Sequence, residues 1–509
     1  MRIEWRHRAL PAAPLALALL AVTGCTGTPD APAEPAGASG APPASVARVC
    51  AGPAAGPAKA PAGAVTVDPA VVGDLAAKTR KSPAHTTFWL RPGTHRLAPD
   101  RYAQVVPKKG NRYLGAPGAV LDGRRTNQYA FGGTAPDVTV RHLTVRGFVA
   151  PHDEGVVNHD SADGWVIEHT TIRDNSGAGL MAGARQQVRA NCLRDNGQYG
   201  LNAYKSGDSI SGLVVEGNEI TGNNTDDWER RRPGCGCTGG VKFWAVDGAD
   251  VRDNWVHDNR GAGLWADTNN NDFRIEGNVL EANDGAALIY ETSYNAVIRK
   301  NTIRRNNWVE GRRYADRGDT FPFATVYLSE SGGEPRIEAR TDRIEIHRNV
   351  LEDNWSGITL WENADRFCNS PANTSSGACT LLVEDTGRCA PPAIATAPLY
   401  ADCRWRTQRV DIHDNRFVLD KSVVGCAVKC DRMALLANYG TYPDWSPYQG
   451  ERVAEAITLE QHNRWHDNVY VGPWTFVAHD PSRTLDAAQW QGAPYRQDAG
   501  SAFRAGDGG

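Results

Sequence analysis

The sequence has no run that sustains a 3.6-residue apolar period, and glycine recurs about every twenty-odd residues, so an all-helical fold is excluded. It has no basic tail, and the net charge is only −4 over 509 residues. Nucleic acid is therefore not an expected partner. There is no Gly-rich phosphate loop, no serine nucleophile elbow and no His-Glu-x-x-His, which removes the usual signals for nucleotide, ester and zinc-peptidase chemistry. None of the eleven cysteines forms a CxxC pair, which argues against zinc; no metal site is assigned. The nonapeptide Ca²⁺ repeat of secreted β-rolls is absent too.

What is present is a repeated phrase between Gly240 and Glu362. Gly240-Val-Lys-Phe-Trp244, Gly263-Leu-Trp-Ala-Asp267, Ala287-Leu-Ile-Tyr-Glu291, Thr325-Val-Tyr-Leu-Ser329 and Gly357-Ile-Thr-Leu-Trp361 share one frame. Their second and fourth residues are mostly apolar, which is the period-two pattern of a strand with one buried face. The third and fifth residues then point outward. Upstream, Asn202 and Tyr204, then Val157 and His159, are expected to extend this outward column.

A second phrase precedes the first. Asn191-Cys-Leu-Arg-Asp-Asn196, Asn218-Glu-Ile-Thr-Gly-Asn223, Asn254-Trp-Val-His-Asp-Asn259, Asn278-Val-Leu-Glu-Ala-Asn283, Asn301-Thr-Ile-Arg-Arg-Asn306 and Asn349-Val-Leu-Glu-Asp-Asn354 each place two Asn around an apolar pair. From Asn175 the second Asn recurs after 21, 27, 36, 24, 23 and 48 residues. Self-similarity of this kind signals a solenoid whose coils carry insertions of variable length. Asn tolerates a left-handed corner and bonds its own turn, and stacked Asn side chains form ladders.

Together these phrases resemble the right-handed parallel β-helix repeat proteins, the fold of the pectate-lyase-like superfamily. Phe88-Trp-Leu-Arg-Pro-Gly-Thr94 and Tyr113-Leu-Gly-Ala-Pro-Gly-Ala-Val-Leu-Asp122 resemble that superfamily's opening coil. The expected fold is all-β: a parallel β-helix over residues 65–468, a short capping helix near Val71–Arg80, and a C-terminal cap and tail over 469–509. Insertions are expected at 224–239, 307–323 and 363–409. A solenoid grows along its axis, so one elongated unit, a monomer, is expected. The resemblance implies a polysaccharide or other glycan as partner.

Residues 1–25 read as an export signal, with Arg2, Arg6 and Arg8 ahead of an apolar run too short for a membrane span. Val22-Thr-Gly-Cys25 resembles a bacterial lipobox, which implies a diacylglycerol on Cys25 and a lipid-anchored, extracytoplasmic protein. Residues 26–64 are rich in Ala, Pro and Gly and read as a disordered tether. Ten cysteines remain to pair outside the cell. Cys368, Cys379, Cys389, Cys403, Cys426 and Cys430 mark a disulfide-stapled insertion, whereas Cys235 and Cys237 stand too close for an easy mutual bond.

Asp267 and Glu291 hold the same outward position on successive coils, which puts their carboxyls roughly 5 Å apart at the spacing of parallel strands. That suits acid–base work or a nucleophile with its acid. Lys242, one coil earlier, completes the candidate catalytic group. Tyr204, Trp244, Trp265, Tyr327 and Trp361 offer flat faces on which sugar rings stack, and Glu330 and Glu362 extend the acidic patch. Ala150-Pro-His-Asp153 resembles the Asp-Pro-His-Asp motif of β-helical mannuronan epimerases, with Ala150 where that family has its first Asp. His152 and, on the column, His159 are candidate substrate contacts. Hydrolases of this fold use two or three carboxylates; its lyases use a Lys or Arg base, often with Ca²⁺. Both sets are present, and a non-catalytic glycan-binding or adhesive role is the alternative.

Overall fold

Short strands, three per coil, stack in register into three parallel sheets. The computed structural model describes residues 48–506, apart from 53–54, 234, 374, 376 and 438–439. The export signal, Cys25 and the tether as far as residue 47 lie outside the described residues. A first sheet of thirteen strands runs from Val65–Val67 to Arg464–His466. A second sheet of thirteen runs from Gly93–Arg96 to Ala502–Arg504. A third sheet of ten runs from Gly155–Val157 to Thr475–Ala478 and contains the repeated phrase. The result is a right-handed parallel β-helix, the hand that parallel crossovers adopt.

Period-two burial builds the interior. Val241, Leu264, Leu288, Val326 and Ile358 are buried, as are Phe243, Ala266, Tyr290, Leu328 and Leu360. Their register is continuous, with Val241 beside Leu264, Leu264 beside Leu288, and Leu288 beside Val326. One upstream expectation fails. Val157 pairs with Leu180, and Leu180 with Leu201, so Val157 faces the core.

The two Asn of the second phrase form two ladders. Each amide oxygen accepts from the backbone N–H and the side-chain amide of the Asn on the preceding coil, as Asn283 does from Asn259 at 3.2 and 2.9 Å. The side-chain amide also donates to an interior carbonyl, here Asn283 to Val256 at 3.0 Å. The left-handed backbone at this corner is carried by the residue before the second Asn: Asp195, Gly222, Asp258, Ala282, Arg305 and Asp353 have φ between 48° and 64°. Asn thus serves the ladder rather than the turn.

The caps differ from their sequence limits. The first helix is Asp74–Lys81; Gly73 is left-handed, and Val71 and Val72 stay exposed outside it. At the other end strands continue past Asn468, with Val469–Val471 paired to Ala502–Arg504. Trp490, in the helix Ala487–Gln491, stacks on Phe476 at 4.8 Å over the open end. Part of the expected tether is held in place: Cys50 is bonded to Cys192, and Trp89 donates to the Pro57 carbonyl at 2.9 Å. The other disulfides are Cys368–Cys379, Cys389–Cys403, Cys426–Cys430 and, against the spacing argument, Cys235–Cys237. Their Cα atoms, 5.2 Å apart, stand within bonding reach because Gly236 between them adopts φ 55°. Among the described residues no helix is long and apolar enough to cross a membrane.

Candidate functional site

The outward face of the third sheet brings most of the candidate residues together. Asn202, Lys242, Trp265, Ile289, Tyr327 and Thr359 form one column by register. Glu291, Ser329 and Trp361 begin a second. Ala266 pairs with Tyr290, so Asp267 stands beside Glu291 one coil away. By the same count Trp244 precedes Asp267, and Tyr204 precedes Trp244.

Two ion pairs occupy the floor. Lys242 Nζ lies 2.9 Å from Asp267 Oδ2, and Arg366 Nη1 lies 2.7 Å from Glu291 Oε1. The four side chains are 13–15% exposed, so they are sheltered without being sealed. Lys242 also sits 4.4 Å from the centre of the Trp265 ring, which occupies one face of that indole. Trp265 Nε1 donates to Glu291 Oε2 at 3.2 Å and links the pairs.

Glu330 and Glu362 turn inward. Both are fully buried. Glu330 faces Arg366 Nη1 at 3.3 Å and accepts from the Ser329 hydroxyl. Burial pushes its carboxyl up to about 7, against the pull of Arg366. Glu362 lies 3.3 Å from Arg404 and accepts from Thr407 N–H at 2.8 Å and the Gln461 amide at 2.7 Å. It anchors the end of the third insertion instead of widening an acidic patch.

The insertions wall this floor and cover part of it. In 224–239, Trp228 meets His152 edge-on at 4.3 Å, and Cys235–Cys237 packs with Tyr199 and Ala178. Gly236 lies so close that a Cβ there would come 3.0 Å from the Trp265 ring, and its carbonyl accepts from Lys242. In 307–323, Phe321 meets Tyr327 and Trp361 at 6.1 and 6.0 Å, Phe323 meets Tyr327 at 5.8 Å, and the Pro322 carbonyl accepts from Thr359 at 2.6 Å. Tyr327 and Trp361 are therefore packed under a loop, while Tyr204 and Trp244 remain half-buried.

Further along, the imidazole of His152 lies 2.7 Å from Asp153. Gln198 and Asp153 bond each other reciprocally at 2.7 Å, and Asn202 donates to the Asp153 carbonyl at 3.1 Å. Burial raises Asp153, but the hydrogen bond and charge of His152 outweigh it and hold the carboxyl below its ordinary value. His159 does not join the column. It follows left-handed Asn158 and stacks on Tyr129 at 3.6 Å, with Glu154 and Asp160 each 3.9 Å away.

Sequence reasoning missed Arg366 and Tyr199. Arg366 comes from an insertion, where no register predicts its reach. Tyr199 stands two residues ahead of the strand Leu201–Ala203, and the register of that strand aligns it with Ala178, Gly239 and Ala262. A tyrosine in that small-residue column was a legible signal. Its hydroxyl is buried beside Gln198, and Nε2 of His152 is buried without a partner.

A family model described as a right-handed β-helix region matches residues 154–338, the part of the stack that carries Lys242, Asp267 and Glu291. The fold is that of a right-handed parallel β-helix. No curated protein matches it. Among solved structures, the mannuronan C-5 epimerase AlgE6 A-module of Azotobacter vinelandii is 11% identical with a TM-score of 0.47, covering 88% of this chain and 97% of that one. The periplasmic alginate epimerase AlgG is 11% identical with a TM-score of 0.39, covering 86% and 82%. The catalytic unit of a GH87 α-1,3-glucanase from Streptomyces thermodiastaticus strain HF3-3 is 15% identical with a TM-score of 0.33, covering 64% and 68%.

Proposed function

We propose that this protein is an extracytoplasmic, lipid-anchored enzyme that binds a polysaccharide along the third sheet and cleaves it. The reading rests on one observation: two sheltered, solvent-reachable ion pairs, Lys242–Asp267 and Arg366–Glu291, on a floor walled by three insertions. A glycosidase pair sets two carboxyls free to flank the scissile bond, whereas here each carboxylate is engaged by a cation. The same cations suit an acidic chain. Lys242 and Arg366 neutralise a uronate carboxylate, which makes the adjacent C5–H more acidic. A base takes that proton, the C4–O bond breaks, C4=C5 forms, and the leaving oxygen receives a proton. Lys242, Asp267 and Glu291 carry the chemistry; His152, whose Nε2 is buried and unpartnered, and Tyr199, buried beside Gln198, are further proton carriers. Tyr204 and Trp244 supply stacking faces, and His159 borders the N-terminal end.

The test is incubation of the protein with acidic and neutral polysaccharides, with and without EDTA, following unsaturated-uronate absorbance and reducing ends together. Absorbance that rises with reducing ends and falls at least 100-fold in Lys242→Ala supports the reading. Reducing ends without absorbance overturn the elimination and restore a hydrolase. A second reading, a structural or adhesive protein without a glycan ligand, is favoured by the cover that Phe321 and Phe323 place over Tyr327 and Trp361; absence of both binding and turnover would establish it, whereas binding with silence in both assays would mark a non-catalytic glycan binder.

A further inference from the structure

The outward face of the first sheet carries a charge ladder that changes character near its C-terminal end. From Arg141 to Arg299, Arg and Glu alternate strand by strand in register. Neighbours are paired, as Arg141 with Glu168 at 2.8 Å and Arg299 with Glu276 at 2.9 Å. The default on this face is one acid per base. Over the last three strands the alternation stops. His347, His413 and His466 stack at 4.9 Å intervals, and beside them opens a concavity of about 270 Å³ lined by Arg343, Arg409, Asp411, His462, Asn463 and Arg464.

Asp411 organises this hollow. It is buried, at 6% exposed. It is met by Arg343 Nη1 at 3.2 Å, by Arg464 Nε and Nη2 at 3.1 and 2.8 Å, and by His466 Nε2 at 2.9 Å. One carboxylate therefore orients two guanidiniums and an imidazole. Two acids flank the hollow: Asp342, half exposed, stands 3.4 Å from Arg343 and 3.7 Å from Arg409, and Glu345 is the in-register neighbour of Asp411 on the preceding strand. Three guanidiniums and the single carboxylate of Asp411 line the hollow itself, and Arg409 has only the 3.7 Å contact to Asp342.

We propose that this hollow is a second binding site, separate from the third sheet, for a saccharide unit that bears a carboxylate. Guanidinium forks match a planar carboxylate bidentately, which an ammonium does not. Forks already held by Asp411 lose little freedom on binding. The volume, about 270 Å³, falls just below the range of small-molecule sites, which run from about 300 Å³ upward, and takes one sugar ring rather than a chain. A chain held here and on the third sheet would be held twice, with the gain that linked sites bring.

The experiment is calorimetric titration of the protein with a galacturonate trisaccharide, a neutral trisaccharide and inorganic sulfate, in a Lys242→Ala background that weakens the third-sheet site. Arg409→Gln is the test variant, because Arg409 does not hold Asp411; circular dichroism checks its fold. The expected result is binding of the acidic trisaccharide alone, weakened at least tenfold by Arg409→Gln. Absence of binding, equal binding in the variant, or equal binding of the neutral sugar overturns the proposal. Sulfate binding as tightly as the trisaccharide also overturns it, as a bare oxyanion site. Binding that Lys242→Ala abolishes and Arg409→Gln leaves intact belongs to the third sheet, so the two readings fail separately.

Discussion

Asn278→Ala tests whether the Asn ladder holds the coils together. Asn278 is fully buried. Its side-chain oxygen accepts from Asn254 N–H and from the Asn254 amide, both at 3.0 Å. Its own amide donates to the Val251 carbonyl at 2.9 Å and to Asn301 Oδ1 at 3.0 Å. In the alanine variant the Asn254 amide keeps Val215 O at 2.9 Å, and Asn301 Oδ1 keeps the backbone N–H of residue 278 at 2.9 Å. The Asn254 backbone N–H loses this acceptor. An orphaned buried donor costs about 1–3 kcal/mol and a lost hydrogen bond about 1 more, so a loss of about 2–4 kcal/mol is expected. Asn278→Asp should be worse, because carboxylate oxygens would face Asn301 Oδ1 and the Val251 carbonyl. The assay is urea unfolding, with the midpoint falling at unchanged slope. Lys300→Ala, a surface neighbour whose ion pair with Glu276 is half exposed, should stay within about 0.5 kcal/mol. If Asn278→Ala also stayed within that range, the ladder would be a consequence of the stacking and not one of its supports.

Glu330 makes a pH-dependent contribution of unfavourable sign. Its carboxyl is raised from 4.5 to about 7, so between those values the folded protein keeps a proton that the unfolded chain releases. Stability falls as pH rises through that window, by about 3 kcal/mol for this group, and its contribution is constant above it. Glu330→Gln should flatten the difference in urea midpoint between pH 5 and pH 7.5; an identical difference in both proteins would sink the assignment. Reducing Cys368–Cys379 and Cys389–Cys403, which close loops of 11 and 14 residues, should loosen the third insertion by about 3 kcal/mol per bond. Limited proteolysis should then cut within 363–409 before the coils, and uniform cleavage along the chain would contradict this. Phe321→Ala should uncover Trp361, read as increased acrylamide quenching relative to Phe321→Ala with Trp361→Phe.

The fold was legible because a solenoid repeats its own evidence. Period two, the Asn pairs and the shared frame of Lys242, Trp265 and Tyr327 each recur coil after coil, and register follows from recurrence. His159 and Val157 were misplaced where that support thins. The upstream strand ends at Val157 and turns through left-handed Asn158, which throws His159 off the column, and Val157 itself belongs to the core register of Leu180. The insertions were legible as interruptions but not as neighbours. Nothing in residues 307–323 says that Phe321 will rest on Tyr327 and Trp361, and nothing in 363–409 says that Arg366 will return to Glu291. Those contacts depend on three-dimensional closure of chains without a repeat.

The contrast between the two outward faces bears on function. On the first sheet, Arg141–Glu168 and its successors are ladders of partly exposed pairs, each worth little and each replaceable. On the third sheet, Lys242–Asp267 and Arg366–Glu291 are sheltered at 13–15% exposure, where removing charges from water costs more than their attraction readily returns. Apolar residues would cover Trp265 and Ile289 more cheaply; the insertions already show this with Phe321 and Phe323. A stack that needed only to hold its loops down had that solution at hand. Charges kept at the floor of a walled face, beside the buried Tyr199 and the unpartnered His152 Nε2, are therefore not accounted for by the stability of the coils.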